Sequence, residues 1–252
     1  MNYNDQLLYE VRDGIATITI NRPEARNALN RIVRDGIRSA VMAFSADEDA
    51  KVLIITATGD VAFCAGADLK EMSAEGLTIP PDDFIPEFDT DKPVIALVNG
   101  VALAGGFFLV QGADIVISAE HARFGITEAR HGRGAPWAAS LPLLIPPKVA
   151  AEMLLTAEPI SASRALEIGL VNAVVRFDLL AETGRKMAAN IIRNAPLSVK
   201  AGKKMSYAVM SQVMGDIQDK VNQIWEPVYL SSDAQEGPLA FREKRTPEWR
   251  GK

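Results

Sequence analysis

The sequence predicts an α/β fold followed by a helical tail, and three observations carry that reading. Val52-Leu53-Ile54-Ile55-Thr56-Ala57-Thr58, Val94-Ile95-Ala96-Leu97-Val98 and Asp114-Ile115-Val116-Ile117-Ser118 are compact apolar runs. Each is followed by a glycine-rich or polar turn and then a helix-like stretch, as in sheets buried on both faces. Leu29 to Phe44 instead repeats its apolar residues at three-to-four spacing, and from about Ser161 the pattern is largely helical.

Taken in order, LLYEVR and IATITIN are short runs of β-formers separated by Asp13-Gly14, a pair suited to the positive φ angles of a tight hairpin. Leu29 to Phe44 places Leu29, Ile32, Val33, Ile37, Ala40, Val41 and Phe44 close to a three-to-four spacing, which describes an amphipathic helix with Asn30 or Asn27 available as its cap. Farther on, Ser161 is an N-cap for ASRALEIG and Gly169 suits its C-terminal stop. Longer helices are expected over Asp178 to Asn194 and Leu197 to Ser231. The second carries Met205, Tyr207, Val209, Met210, Val213, Met214 and Ile217, more apolar surface than one surface helix buries, which a subunit interface would absorb.

Composition narrows the function classes. With 252 residues, 48% hydrophobic and 23% charged, the chain is expected to form a globular protein with a sizeable core. A net charge of −5 argues against nucleic acid as a partner. One cysteine, Cys64, excludes an internal disulfide framework, and with two histidines it leaves little material for a metal site. The opening MNYNDQLLYEVRDG has acidic residues where a targeting peptide is basic and apolar, and no run reaches membrane-spanning length, so a cytoplasmic protein is expected.

Three segments carry chemistry. Phe63-Cys64-Ala65-Gly66-Ala67-Asp68-Leu69-Lys70-Glu71-Met72 follows the first buried strand, and its small residues let a ligand approach the backbone. In Val98-Asn99-Gly100-Val101-Ala102-Leu103-Ala104-Gly105-Gly106-Phe107-Phe108 a buried strand turns into a helix near Gly105, whose open N–H groups favour an anion or a developing oxyanion. Phe124-Gly125-Ile126-Thr127-Glu128-Ala129-Arg130-His131-Gly132 is a short strand leading into a charged loop. Singly, each also reads as ordinary packing or a solvated surface.

In this order and spacing the three segments resemble the crotonase, or enoyl-CoA hydratase/isomerase, superfamily. Two flanking segments strengthen the resemblance over nearly the whole chain: Asn21-Arg22-Pro23-Glu24-Ala25-Arg26-Asn27-Ala28-Leu29 and Glu236-Gly237-Pro238-Leu239-Ala240-Phe241-Arg242-Glu243-Lys244-Arg245-Thr246-Pro247. The resemblance implies a spiral of ββα units and a helical C-terminal region that builds trimers, often paired into hexamers. Composition sets the boundary near Asn194, giving an acyl-CoA-binding core, 1–194, and that helical region, 195–252.

The resemblance further implies that the N–H groups of Ala67 and Gly105 form an oxyanion hole for a thioester, and that Glu128 moves the proton. Loss of one such donor costs about 3–4 kcal/mol of barrier. Ala25, Arg26, Ala65, Asp68, Leu69 and Lys70 are expected along the coenzyme A channel, with Phe241 and Lys244 reaching in, in some arrangements from a neighbouring subunit. No cofactor is implied beyond the coenzyme A of the substrate.

The sequence departs from the family's two-glutamate hydratase pattern, because Phe108 stands where the first glutamate would be. Hydration divides water activation and carbon protonation between two carboxylates. A single carboxylate can still carry a proton from one carbon to another, so an isomerase-type double-bond shift is preferred. A specialised hydratase or lyase, or a non-catalytic coenzyme A-binding homologue, is the alternative. The loop after Glu128 also departs and runs one residue shorter. Its Arg130, His131, Arg133 and Trp137 either contact a polar or aromatic acyl group, with His131 as an auxiliary acid or base, or leave the arginines in solvent and Trp137 in the core.

Overall fold

A computed structural model describes residues 2–75 and 85–252. Its strands are β1 (Asn2–Asn4), β2 (Leu7–Arg12), β3 (Ile15–Ile20), β4 (Val52–Ala57), β5 (Ala62–Cys64), β6 (Val94–Val98), β7 (Val101–Leu103), β8 (Ile115–Ala119), β9 (Arg123–Gly125), β10 (Ile160–Ser161) and β11 (Ala173–Val175). The helices are α1 (Arg31–Ala46), α2 (Leu69–Glu75), α3 (Gly105–Gly112), α4 (Leu141–Leu144), α5 (Pro147–Thr156), α6 (Ala162–Glu167), α7 (Phe177–Ile192), α8 (Pro196–Leu230) and α9 (Asp233–Glu243).

Among the described residues the strands form two sheets, ordered β1-β2-β3-β4-β6-β8-β11 and β10-β9-β7-β5. The expected hairpin is β2–β3, antiparallel and closed at Asp13 and Gly14, both with positive φ. From β3 to β11 the large sheet is parallel. The alternation of its side chains explains the unbroken apolar runs. In β4, Leu53 and Ile55 join the main core with α1, while Val52 and Ile54 face the other way onto Leu180 and Ala188 of α7.

Helix α1 begins two residues later than its periodicity suggests. Asn30 is the cap, its side chain accepting from Val33 N–H at 3.0 Å. Leu29 instead bridges Ala67 in an extended pairing. Asn27 has a different role: fully inside a loop, it donates to the carbonyls of Thr58 and Ala62 and accepts from Arg22 N–H.

Ser161 caps α6 through Arg164 N–H, and Gly169 follows the helix with a φ of 76°. The region beyond Ser161 is not wholly helical, since β11 returns to extend the large sheet beside β8. Helix α8 opens on Pro196 and continues through Pro227. Lys203 fastens its first part to the sheet, with Nζ 2.9 Å from both Asp114 Oδ2 and the Lys92 carbonyl oxygen. Met205 and Val209 on the same helix are largely exposed. Among the described residues no helix is long and apolar enough to cross a membrane.

Candidate active site

The two small-residue segments converge. A Cβ placed on Gly66 would stand 2.8 Å from Ala104 Cβ and 3.4 Å from Gly105 N, and one on Gly106 would stand 2.2 Å from the Cys64 carbonyl oxygen. Glycine is therefore required at 106 by close approach, and at 66 both by contact and by a φ of 98°. Ala104 itself has a φ of 52° and a ψ of −125°, a strained turn that ends β7 and starts α3. It is held by Ala104 N–H donating to Gly125 O, and by Phe107 and Phe108 N–H donating to Ala104 O.

The peptide groups at this junction have a defined direction. Leu29 N–H donates to Gly66 O at 2.8 Å, and Asp68 N–H donates to Leu29 O at 3.3 Å. A trans peptide sets its C=O and N–H on opposite sides, so the Ala67 N–H faces away from Leu29. Gly105 is the first residue of α3, so its N–H has no acceptor one turn earlier within the helix. Ile85 and Leu29 lie against Gly105 on its side-chain side.

The loop that joins these turns to the opening hairpin is fixed by polar contacts. Ala25 ends a 3₁₀ turn, Pro23–Ala25, and Arg26 follows in the left-handed region with its carbonyl accepting from Ala65 N–H. Arg22 is no ordinary surface cation: both terminal nitrogens reach Asp68 Oδ2 at 3.1 Å, and one also donates to Ala28 O. The other Asp68 oxygen accepts from the N–H groups of Lys70 and Glu71 at the start of α2. Asp68 thus shapes the loop, while Leu69 is partly buried and Arg26 and Lys70 are exposed.

Glu128 opens a 3₁₀ turn, Glu128–His131, three residues beyond the end of β9 at Gly125. Trp137 Nε1 donates to its Oε1 at 3.0 Å, whereas Oε2 is buried and has no partner in hydrogen-bonding geometry. Burial pushes the carboxyl pKa up to about 7, opposed by the main chain of Glu128, by the Trp137 indole and by the Thr127 main chain. No second carboxylate is among the groups that shift it.

Phe108 stands edge-on to Trp137, with ring centres 5.9 Å apart, and Phe107 meets the same indole from the core at 6.2 Å. Trp137 therefore packs against the core, and its bond to the Glu128 carboxylate is a role that the sequence does not present. Arg133 lies over the Tyr229 ring, and the Tyr229 hydroxyl donates to Gly134 O at 3.2 Å. Tyr229 is a neighbour that sequence reasoning missed, because some hundred residues separate it from the loop. Arg130 pairs outward with Glu158 at 2.6 Å.

Helix α9 lies on the Glu128 turn of its own chain. A Cβ on Gly237 would meet the His131 carbonyl oxygen at 2.0 Å, and the His131 ring stands perpendicular to that of Phe241 at 5.5 Å. Phe241 is 56% exposed at the rim, and Lys244 caps α9 in the left-handed conformation. Burial and the Arg130 charge lower the His131 pKa, which favours its neutral form. Among the described residues no group of three or more His, Cys, Asp or Glu is arranged to hold a metal ion.

A family model described as enoyl-CoA hydratase/isomerase matches residues 10–252. The chain belongs to this family. It is 39% identical over 260 residues to a carnitinyl-CoA dehydratase of Salmonella typhi, covering 97% of this chain and 98% of that one. Among solved structures it is similar to a carnitinyl-CoA hydratase from Mycobacterium avium, at 38% identity and TM-score 0.89, covering 99% of this chain and 100% of that one. An enoyl-CoA hydratase from Mycobacterium tuberculosis H37Rv is similar over 90% of this chain and 100% of its own, at 36% identity and TM-score 0.82. The crotonase-type α/β fold with its helical C-terminal region is thereby shown, as is an enzyme of the lyase or isomerase type from a family that acts on acyl-CoA.

Proposed function

We propose that this enzyme shifts a carbon–carbon double bond in an acyl-CoA by moving one proton with one carboxylate. The observation that carries the reading is Glu128, whose Oε2 is buried and unpartnered while Phe108 occupies the place of a second acid. The N–H groups of Ala67 and Gly105 donate to the thioester oxygen of a 3-enoyl-CoA. Ionised Glu128 takes a proton from the α-carbon, and the electron pair moves onto that oxygen as a dienolate. The proton then returns to the γ-carbon, which leaves a 2-enoyl-CoA and the carboxylate as it began. No water is consumed, and nothing beyond the coenzyme A of the substrate is needed.

In this reading Ala25, Arg26, Ala65, Asp68, Leu69 and Lys70 border the coenzyme A channel, with Phe241 and Lys244 at its mouth. The exposed cations Arg26, Lys70 and Lys244 suit the nucleotide phosphates. His131, Arg133 and Trp137 border the acyl end. The apolar surface of α8 suits a trimer or a dimer of trimers.

A second reading, water elimination or addition with Glu128 as the single acid/base, is favoured by the likeness to a carnitinyl-CoA dehydratase. Absorbance assays on a 3-enoyl-CoA and on crotonyl-CoA separate the two. The proposal expects the 3-enoyl substrate to turn over faster, and expects Phe108→Glu to raise crotonyl-CoA hydration by about tenfold or more. Faster hydration of crotonyl-CoA by the unaltered enzyme overturns the isomerase reading. Coenzyme A binding without turnover of either substrate marks a non-catalytic homologue.

A further inference from the structure

The geometry points to Trp137 as the positioning residue of Glu128: its indole anchors Oε1, so that Oε2 alone receives and returns the proton. This rests on Glu128 being the acid/base and goes beyond it by assigning the two carboxyl oxygens separate tasks. Trp137 Nε1 stands 3.0 Å from Oε1, and Oε2 is buried without a partner. An indole N–H donates and never accepts. When Glu128 is protonated, the oxygen facing the indole must therefore remain the acceptor, and the acidic hydrogen is confined to Oε2. The same bond orients the carboxylate before the proton is taken and after it is acquired.

The anchor is itself held. Phe107 and Phe108 meet the Trp137 ring edge-on, at interplanar angles of 83° and 71°. Both extend from α3, the helix that begins at Gly105. The indole thus links the proton carrier to the element that presents one main-chain N–H, and fixes one against the other. Phe108 has a positive task in this arrangement: its phenyl ring braces the indole. The bond also favours ionised Glu128 against the larger effect of burial, so its removal raises the carboxyl pKa further.

The test compares the intact enzyme, Trp137→Phe and Glu128→Gln on a 3-enoyl-CoA across pH 5–9. Trp137→Phe is expected to lower kcat about 10- to 100-fold, to leave KM within about twofold, and to move the acidic limb of the kcat profile upward by about one pH unit. Should that variant fold poorly, replacement of Trp137 by 3-benzothienylalanine keeps the bicyclic ring, exchanges N–H for sulfur, and is expected to move the limb in the same direction. An unmoved limb with unchanged kcat in a folded variant overturns the positioning role. If Glu128→Gln keeps full turnover, the underlying assignment of Glu128 fails instead, and the two failures are distinguishable.

Discussion

The main-chain half of the site, Gly66-Ala67 against Ala104-Gly105, and the side-chain half, Glu128 with Trp137, depend on sequence in opposite ways. In the first, the groups proposed to act are backbone N–H, so what must be preserved is the absence of side-chain volume: one added carbon at Gly106 would sit 2.2 Å from the Cys64 carbonyl oxygen. In the second, the proposal rests on one carboxyl oxygen and one indole N–H, and the surrounding backbone is an ordinary 3₁₀ turn covered by α9. The first half is therefore expected to tolerate changes of side-chain chemistry but not of size, and the second modest changes of size but not of chemistry.

The largest expected effect comes from breaking the main-chain half. Gly106→Ala forces the start of α3 away from β5, which should cost roughly 3 kcal/mol of stability and shift the Gly105 N–H enough to lower kcat about 100-fold. Denaturant unfolding and steady-state kinetics would read both. Near-normal activity in this variant would show that the turn has more slack than its contacts imply.

On the side-chain side, Glu128→Gln should stabilise the fold in alkaline buffer. The folded pKa, about 7, lies above the ordinary value of 4.5, so burial favours the protonated carboxyl. That contribution is fully present below about pH 4.5 and is lost as pH rises through about 7, a loss of about 3 kcal/mol. Thermal unfolding at pH 8 should show the variant more stable than the unaltered enzyme, with the gap closing toward pH 4.5. On the proposed reading the same titration sets the activity profile. Turnover should rise through about pH 7 and fall about tenfold for each pH unit below it, as ionised Glu128 becomes scarce.

The smallest effect is expected at Ala104. Ala104→Gly relieves the φ of 52° and should add about 1 kcal/mol of stability, measurable as a raised Tm. Greater mobility in the same turn should lower kcat slightly. A gain in stability with a loss of activity would show that strain at Ala104 holds the N–H groups in place.

Singly, the segments around Gly66 and Gly105-Gly106 read as ordinary packing, and the main-chain half becomes legible only through the order and spacing of the segments together. The close approaches at Gly66 and Gly106 emerge with the structure. The hairpin at Asp13-Gly14 and the Ser161 cap are legible locally, because each rests on adjacent residues. Contacts that close over long sequence separations are not. Tyr229 against Gly134, and Gly237 of α9 against His131, each join residues some hundred positions apart. Trp137 is a different case, being nine residues from Glu128 and yet ambiguous. An apolar indole reads equally as core or as site, and its N–H acquires a task through the turn between the two residues. Asn27 was equally hidden, since a capping residue and a buried loop clamp share the same side chain.

The central claim is that one carboxylate, Glu128, moves the proton while the main-chain N–H groups hold the thioester oxygen. Its most direct test is Glu128→Gln, assayed for turnover of a 3-enoyl-CoA and for exchange of the α-hydrogen of butyryl-CoA in deuterated water, with coenzyme A thioester binding measured alongside. The account predicts binding within about threefold of the unaltered enzyme, with both reactions lowered by about a thousandfold or more. Turnover and exchange at the unaltered rate in this variant would contradict it.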